Sequence, residues 1–254
     1  MINILLHGCN GRMGRMISGI CEDSDSVRIA AGIDAAGECT GHFPFFNSLS
    51  ACDTAADVMI DFSTASAVDG VLDYCTAHAL PLVLCTTGLS EEQLKKVDAC
   101  AEKIAILRAA NMSIGVNVLL NILRDAAPRL FDAGFDIEIV EKHHNQKLDA
   151  PSGTALALAD EIRDAVAEEG NELSYVYDRS QVRAKRDRLE IGISAVRGGT
   201  IVGDHDVIFA GTDEVITLSH RVYSRAVFAK GAVTAAAFLA DRPAGLYSMR
   251  DALS

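Results

Sequence analysis

Short apolar runs separated by stretches of helical period fill the first 110 residues, and no other feature narrows the fold as far. INILLHG, VRIAAGID, ADVMIDFS, LPLVLCTT and IAILRAA read as buried strands. Helical segments lie between them, such as LSEEQLKKVDACAEK, with Ser90 in the N-cap position and Glu91 and Glu92 in the first turn. Strands that alternate with helices return in the same direction and are covered on both faces. The expected fold of this region is therefore α/β, a Rossmann-like parallel sheet covered by helices on both faces.

After NMSIG and the helical VNVLLNILRDAAPRLF the pattern changes. FDIEIVEKHH and LEIGISAV alternate between apolar and polar residues, and DHDVIFAGTDEVITLSHRV reads as two strands joined at Gly211-Thr212-Asp213. One-sided strands of this kind predict a second, α+β domain with a mostly antiparallel sheet. The final stretch, RAVFAKGAVTAAAFLAD, returns to helical apolar spacing and is assigned to the first domain. The expected division is 1–113 with 226–254, and 114–225.

The chain has 254 residues, nearly half of them apolar, and a formal charge of -12. That charge argues against nucleic acid as a partner, because binding there needs a basic face, and it requires any anionic ligand to be drawn in by a local basic cluster. All seven cysteines, Cys9, Cys21, Cys39, Cys52, Cys75, Cys85 and Cys100, fall in the first hundred residues without Cys-x-x-Cys spacing. They read as reduced thiols of a cytoplasmic protein rather than a disulfide framework or a zinc site. No basic leader or long apolar run precedes the first strand, so neither a signal peptide nor a membrane span is expected.

The loop HGCNGRMGRMI follows the first strand and opens a helix, the context a dinucleotide-binding turn requires. Its glycines are Gly8, Gly11 and Gly14, with Asn10 where G-x-G-x-x-G would place glycine. Asparagine tolerates left-handed backbone, and Gly11 offers another close approach to a pyrophosphate. A tight turn without a ligand is the plain alternative. Asp34, twenty residues beyond Gly14, favours the nucleotide reading, since an acidic side chain there accepts hydrogen bonds from ribose hydroxyls. Ala35, Ala36 and Gly37 follow it without an arginine, which leans toward NADH. Arg12 and Arg15 keep NADPH open. Two later strand ends, at Cys85 to Gly88 and Arg108 to Ser113, fall where such sheets bind their ligands. Cys85 reads as a small lining residue there rather than a nucleophile.

VEKHHNQKLDAPSGTAL carries the other candidate site. Adjacent residues point to opposite faces of a strand and diverge by about 100° on a helix, so His143 and His144 are poorly placed to chelate one ion, and no metal is expected. A solvated loop is the bland alternative. Against it, Ser152 is a good N-cap for a helix whose apolar positions Ala155, Leu158, Ala159, Ile162, Ala165 and Val166 fit one face. The start of that helix at Gly153 and Thr154 is an anion site, and with His143, His144 and Lys147 nearby it suits a small dicarboxylate. Histidine and lysine also supply proton transfer, which belongs with a hydride donor.

The segments GCNGRMG, CTTG, AANMSIGVNV and EKHHNQKLDAPSGTAL together resemble the dihydrodipicolinate reductase family, in order and across the whole chain. The resemblance implies an N-terminal nucleotide domain and a C-terminal substrate and tetramerisation domain, hence a homotetramer. The implied reaction is the NAD(P)H-dependent reduction of 4-hydroxy-tetrahydrodipicolinate to tetrahydrodipicolinate with loss of water, in diaminopimelate and lysine biosynthesis. On the matching positions, His143 resembles the proton donor or acceptor and Lys147 the proton donor, while His144, Gly153 and Thr154 resemble substrate ligands. The cofactor pattern falls on Gly8, Cys9, Asn10, Gly11, Arg12, Met13, Asp34, Cys85, Thr86, Thr87, Ala109, Ala110, Asn111 and Met112. Arg225 matches a basic residue on the substrate side. Some members have Glu-Arg in place of Asp34-Ala35 and many have Phe in place of Met112, so NADH, favoured by the local residues, and NADPH both stay open. A related semialdehyde or imine dehydrogenase is the second enzyme reading. An NADH-sensing regulator would require a DNA-binding module, and no segment reads as one.

Overall fold

A computed structural model describes residues 1–37, 41–109, 111–180 and 183–254. Two compact units result, one formed by Met1–Ile114 with Arg225–Ser254 and the other by Gly115–Ser224.

The first unit is a parallel sheet built from β1 (Ile2–His7), β2 (Val27–Ile33), β3 (Phe45–Phe46), β4 (Val58–Asp61), β5 (Leu82–Leu84), β6 (Ala105–Arg108) and β12 (Gly245–Tyr247). Its order is β12-β6-β5-β4-β1-β2-β3, and every pair is parallel. This is a doubly wound arrangement whose order reverses at β1, next to β4. Strand periodicity sends Ile4 and Leu6 to one face and Leu5 to the other. The first face packs on Ile17 and Cys21 of α1 (Arg12–Glu22) and on Ala229, Ala232, Ala235, Ala236 and Leu239 of α6 (Ala226–Leu239). The second packs on Val71, Leu72 and Cys75 of α2 (Val68–Ala77) and on Val97 and Cys100 of α3 (Glu91–Ala101). Ser90 caps α3 as the sequence predicts, in a capping box with Gln93, and Glu91 and Glu92 occupy its first turn. The short α7 (Met249–Ala252) closes the chain. β3 and β12 have only two and three residues, too few to show a period, and the sequence does not announce them.

The second unit has α4 (Ile114–Asp132), which begins at the unit boundary, β7 (Asp136–His143), α5 (Gly153–Ala167), β8 (Ser174–Val176), β9 (Glu190–Arg197), β10 (Gly203–Ala210) and β11 (Val215–Val222). The sheet order is β11-β10-β7-β9-β8. β10 runs antiparallel to both β7 and β11, but β9 runs parallel to both β7 and β8. The sheet is therefore mixed, which corrects the expectation of a mostly antiparallel one. Alternation reports which face is buried and carries no information on direction, whereas the long connection from β7 through α5 is what brings β9 back parallel. Ile137, Ile139, Ile191, Ile193, Val207 and Phe209 pack against Leu123 and Phe131 of α4 and Leu158 and Ile162 of α5. The six apolar positions foreseen on α5 are its buried residues. Among the described residues no helix is long and apolar enough to cross a membrane.

Candidate active site

The chain turns at Gly8 to Gly11 between β1 and α1. Gly8 sits at φ +80°, and a Cβ on Gly14 would lie 2.3 Å from the Gly8 carbonyl oxygen. The turn is thus pressed onto the first turn of the helix, and main chain rather than side chain borders its positive end, where a phosphate is stabilised. Asn10 does not use the left-handed tolerance that the sequence brought to mind; the positive φ in this loop belongs to Gly8. Asn10 instead ties two loops together, its Nδ2 donating to the Ala36 carbonyl at 2.7 Å and its N–H to Asp34 Oδ2 at 3.0 Å. The Ala36 N–H donates to Asp34 Oδ1 at 3.2 Å. Two backbone donors therefore orient Asp34. A carboxylate has about four acceptor positions, and among the described residues these two donors occupy half of them.

A cavity of about 550 Å³ opens at the C-terminal strand ends of this unit. Arg12 and Met13 line it from α1, Cys85, Thr86 and Thr87 from beyond β5, and Ala109, Asn111 and Met112 from beyond β6. Arg225 at the N-cap of α6 lines it as well, together with Phe62, Ser63 and Phe228, which the sequence did not single out. Gly8, Cys9, Asn10, Gly11 and Asp34 belong to the neighbouring turn and its partner loop rather than to this lining. Ala110 and Cys39 lie outside the described residues. The six described cysteines are buried and form no disulfide with one another. Burial first, and the charge of Asp61 second, push the Cys85 thiol well above its ordinary range, so it stays neutral and unreactive. Beneath Thr86, the fully buried Asp61 accepts its hydroxyl at 2.6 Å and meets His7 Nδ1 at 2.7 Å. The sequence signal for this pair was a polar residue closing each of two apolar runs, LLH and MID.

In the second unit the alternation of β7 places Glu141 and His143 on the buried side. His143 Nδ1 lies 2.7 Å from Glu141 Oε2, and the Ser152 N–H donates to Glu141 Oε1 at 2.9 Å. Arg197 from β9 grips both oxygens of Glu141 at 2.7 Å and donates to the Asp149 carbonyl at 2.7 Å. The histidine and the start of α5 are thus brought together through one carboxylate. Ser152 caps α5 by accepting the Ala155 N–H at 3.1 Å, and its hydroxyl meets His205 Nε2 at 3.0 Å. His205 stands edge-on to His143, 5.2 Å between ring centroids. Burial first, then the neighbouring His143, pushes His205 down to about 4, so it is neutral near pH 7. Burial works to raise the Glu141 carboxyl, but the hydrogen bonds of Arg197, His143 and the Ser152 amide outweigh it and hold it below its ordinary value. Lys147 Nζ is held by both oxygens of Asp149 at 2.8 Å. His144 follows the last residue of β7, half-buried, and its carbonyl accepts the Lys147 N–H at 3.2 Å. Gly153 and Thr154 form the first turn of α5. Glu141, Arg197 and His205 are the site residues that sequence reasoning passed over: Glu141 stands two residues before His143 on the same face of β7, whereas Arg197 and His205 meet Glu141 and Ser152 across 56 and 53 residues.

A glycine turn at the switch point of a parallel sheet, in one chain with a buried histidine set against a carboxylate, fits an oxidoreductase that moves a hydride and a proton. Residues 2–112 match the family described as "Dihydrodipicolinate reductase, N-terminus" and residues 115–253 the one described as "Dihydrodipicolinate reductase, C-terminus". The chain belongs to the dihydrodipicolinate reductase family. It is 49% identical over 249 residues to a 4-hydroxy-tetrahydrodipicolinate reductase of Clostridium tetani, covering 98% of this chain and 96% of that one. A protein of the same name from Caldanaerobacter subterraneus is 48% identical, with 99% and 98% covered. Among solved structures, the dipicolinate-bound dihydrodipicolinate reductase of Paenisporosarcina sp. TG-14 superposes with a TM-score of 0.80 at 26% identity, covering 100% of both chains.

Proposed function

We propose that this chain reduces 4-hydroxy-2,3,4,5-tetrahydrodipicolinate to 2,3,4,5-tetrahydrodipicolinate with loss of water, using NAD(P)H, in diaminopimelate and lysine biosynthesis. The observation that carries the reading is the clustering of His143 and the start of α5 about the Glu141 carboxylate, in one chain with the glycine turn of the nucleotide-type sheet. His143 and Lys147 handle protons. His144 and the positive end of α5 at Gly153 and Thr154 hold the substrate's carboxylates, the local basic cluster that a chain of charge -12 needs to attract a dianion.

The nucleotide fits the first unit: the Gly8–Gly14 contact admits a pyrophosphate to the helix start, and the cavity lined by Arg12, Thr86, Asn111 and Arg225 has room for a nicotinamide ring. When bound, the reduced nicotinamide supplies the hydride. Gly8, Cys9, Asn10, Gly11, Arg12 and Met13 hold the phosphates, Asp34 the adenosine ribose, and Cys85 to Thr87 with Ala109 to Met112 the nicotinamide side. A negative Asp34 next to Ala35 favours the ribose of NADH over the 2′-phosphate of NADPH.

Steady-state kinetics with the coupled synthase product and with NADH and NADPH side by side tests both levels. No oxidation of either nucleotide would remove the reductase reading. A strong preference for NADPH would remove only the role given to Asp34. Trials of other semialdehydes and imines separate this activity from that of a related dehydrogenase.

The same reading places the enzyme in the cytoplasm as a homotetramer. Support for assembly comes from the sheet face opposite α4 and α5, where Val196 and Val215 are 45% and 62% exposed. Light scattering on the purified chain measures the mass directly, and a monomer would end that part of the proposal.

A further inference from the structure

The Glu141 carboxylate is fully buried, and four donors fill its four acceptor positions. Oε2 takes His143 Nδ1 and Arg197 Nη1, both at 2.7 Å. Oε1 takes the Ser152 N–H at 2.9 Å and Arg197 Nη2 at 2.7 Å. The bidentate guanidinium keeps the carboxylate ionised, since a fork of two parallel N–H bonds matches the anion and no proton is left for Glu141 to hold. An ionised carboxylate only accepts, so the imidazole nitrogen facing it must be protonated. That leaves His143 Nε2 as the nitrogen free to exchange a proton. Gly203 borders that atom, and a Cβ there would come within 3.0 Å of it, so glycine keeps the space beside Nε2 open.

We propose that Glu141, held by Arg197, is the positioning residue of the reductase centre: it fixes the tautomer of His143 so that Nε2 acts, and it holds the start of α5 in register with that ring. The assignment rests on His143 being the proton-handling group. Charged and titratable groups lie around the pair: Glu141 bonds the ring from its own strand, His205 from β10 stands edge-on to it, Arg197 from β9 bonds Glu141 and the Asp149 carbonyl, and Lys147 pairs with Asp149 in the following loop. Glu141 alone among them bonds the ring and the helix start together.

The test needs the whole enzyme and two kinds of measurement. Nitrogen-15 NMR of the wild-type protein reads the tautomer directly, with neutral His143 expected to carry its proton on Nδ1; a proton on Nε2 would overturn the proposal without any variant. In Glu141→Gln the side-chain carbonyl can still accept the Ser152 N–H, while its amide group faces Nδ1 and drives the ring proton to Nε2. The expected result is the reversed tautomer, a fall in kcat of about 10²-fold or more, and a substrate KM within about threefold of wild type, in line with what tautomer-fixing carboxylates contribute elsewhere. A folded Glu141→Gln enzyme with unchanged kcat would sink the positioning role, and if His143→Ala is inactive beside it, the reading of His143 survives. Full activity in His143→Ala would instead remove that reading, and the proposal with it.

Discussion

Each compact unit buries one carboxylate completely and sets a histidine Nδ1 against it at 2.7 Å, yet the two arrangements hold different things. Asp61 takes His7 and the Thr86 hydroxyl, and so ties together the ends of β1, β4 and β5, strands that the sheet ladder already joins. Glu141 takes a guanidinium as well as an imidazole and reaches a helix start, and the same guanidinium holds the preceding loop at the Asp149 carbonyl. In the first unit the pair staples a scaffold beneath the cavity. In the second it joins a histidine ring to a helix start, with a guanidinium on both carboxylate oxygens. On the roles proposed above, the same local chemistry supports binding in one place and proton transfer in the other.

That division can be broken most sharply at Lys147. Lys147→Ala is expected to lower kcat by about 10²-fold or more while NADH binding, followed by fluorescence, stays as in wild type. Unchanged turnover would dissolve the assignment of proton chemistry to the second unit. Gly14→Ala should do the reverse. A Cβ 2.3 Å from the Gly8 carbonyl forces the turn to open, so the dinucleotide Kd is expected to rise at least about tenfold, with a loss of stability of about 1–3 kcal/mol. Calorimetric titration checks the first figure and thermal melting the second.

The histidine row of the second unit also makes a prediction about acid. Burial lowers His205 from an ordinary 6.5 to about 4, so between those values the unfolded chain binds the proton more readily than the folded one. The stability tied to His205 is full above pH 6.5 and is lost as the pH falls toward 4, by on the order of 2–3 kcal/mol. Urea unfolding across that window should show the loss, and His205→Gln should flatten it. The smallest expected effect is at the other carboxylate. His7→Leu leaves one oxygen of Asp61 without its imidazole partner and should cost about 1–3 kcal/mol in urea unfolding with little change in kcat. A larger effect on turnover than on stability would mean that Asp61 does more than staple the scaffold.

Much of this was legible in the residues themselves. Continuous apolar runs marked β1, β2, β4, β5 and β6, because a strand covered on both faces has no polar side to show. Ser90 and Ser152 marked the starts of α3 and α5, since capping is a matter of residues three apart. The turn at Gly211 to Asp213 was equally local, and its Asp213 adopts φ +63°. Misreadings came where the physics is long-range. The direction of β9 depends on the path of a connection, and the use of Asn10 depends on Ala36 standing across from it.

Family and the fold class of the first unit were legible in short-range pattern, namely periodicity, caps, glycines and the identity of residues in HHNQKLDAPSGT, and the same patterns marked both candidate sites. Tertiary structure alone decided which side chains meet. Glu141 and Arg197 are 56 positions apart and Asp61 and His7 are 54, and no period or motif links residues at such separations. Their contacts exist because sheet register brings neighbouring strands side by side, and burial then requires each carboxylate to find its donors.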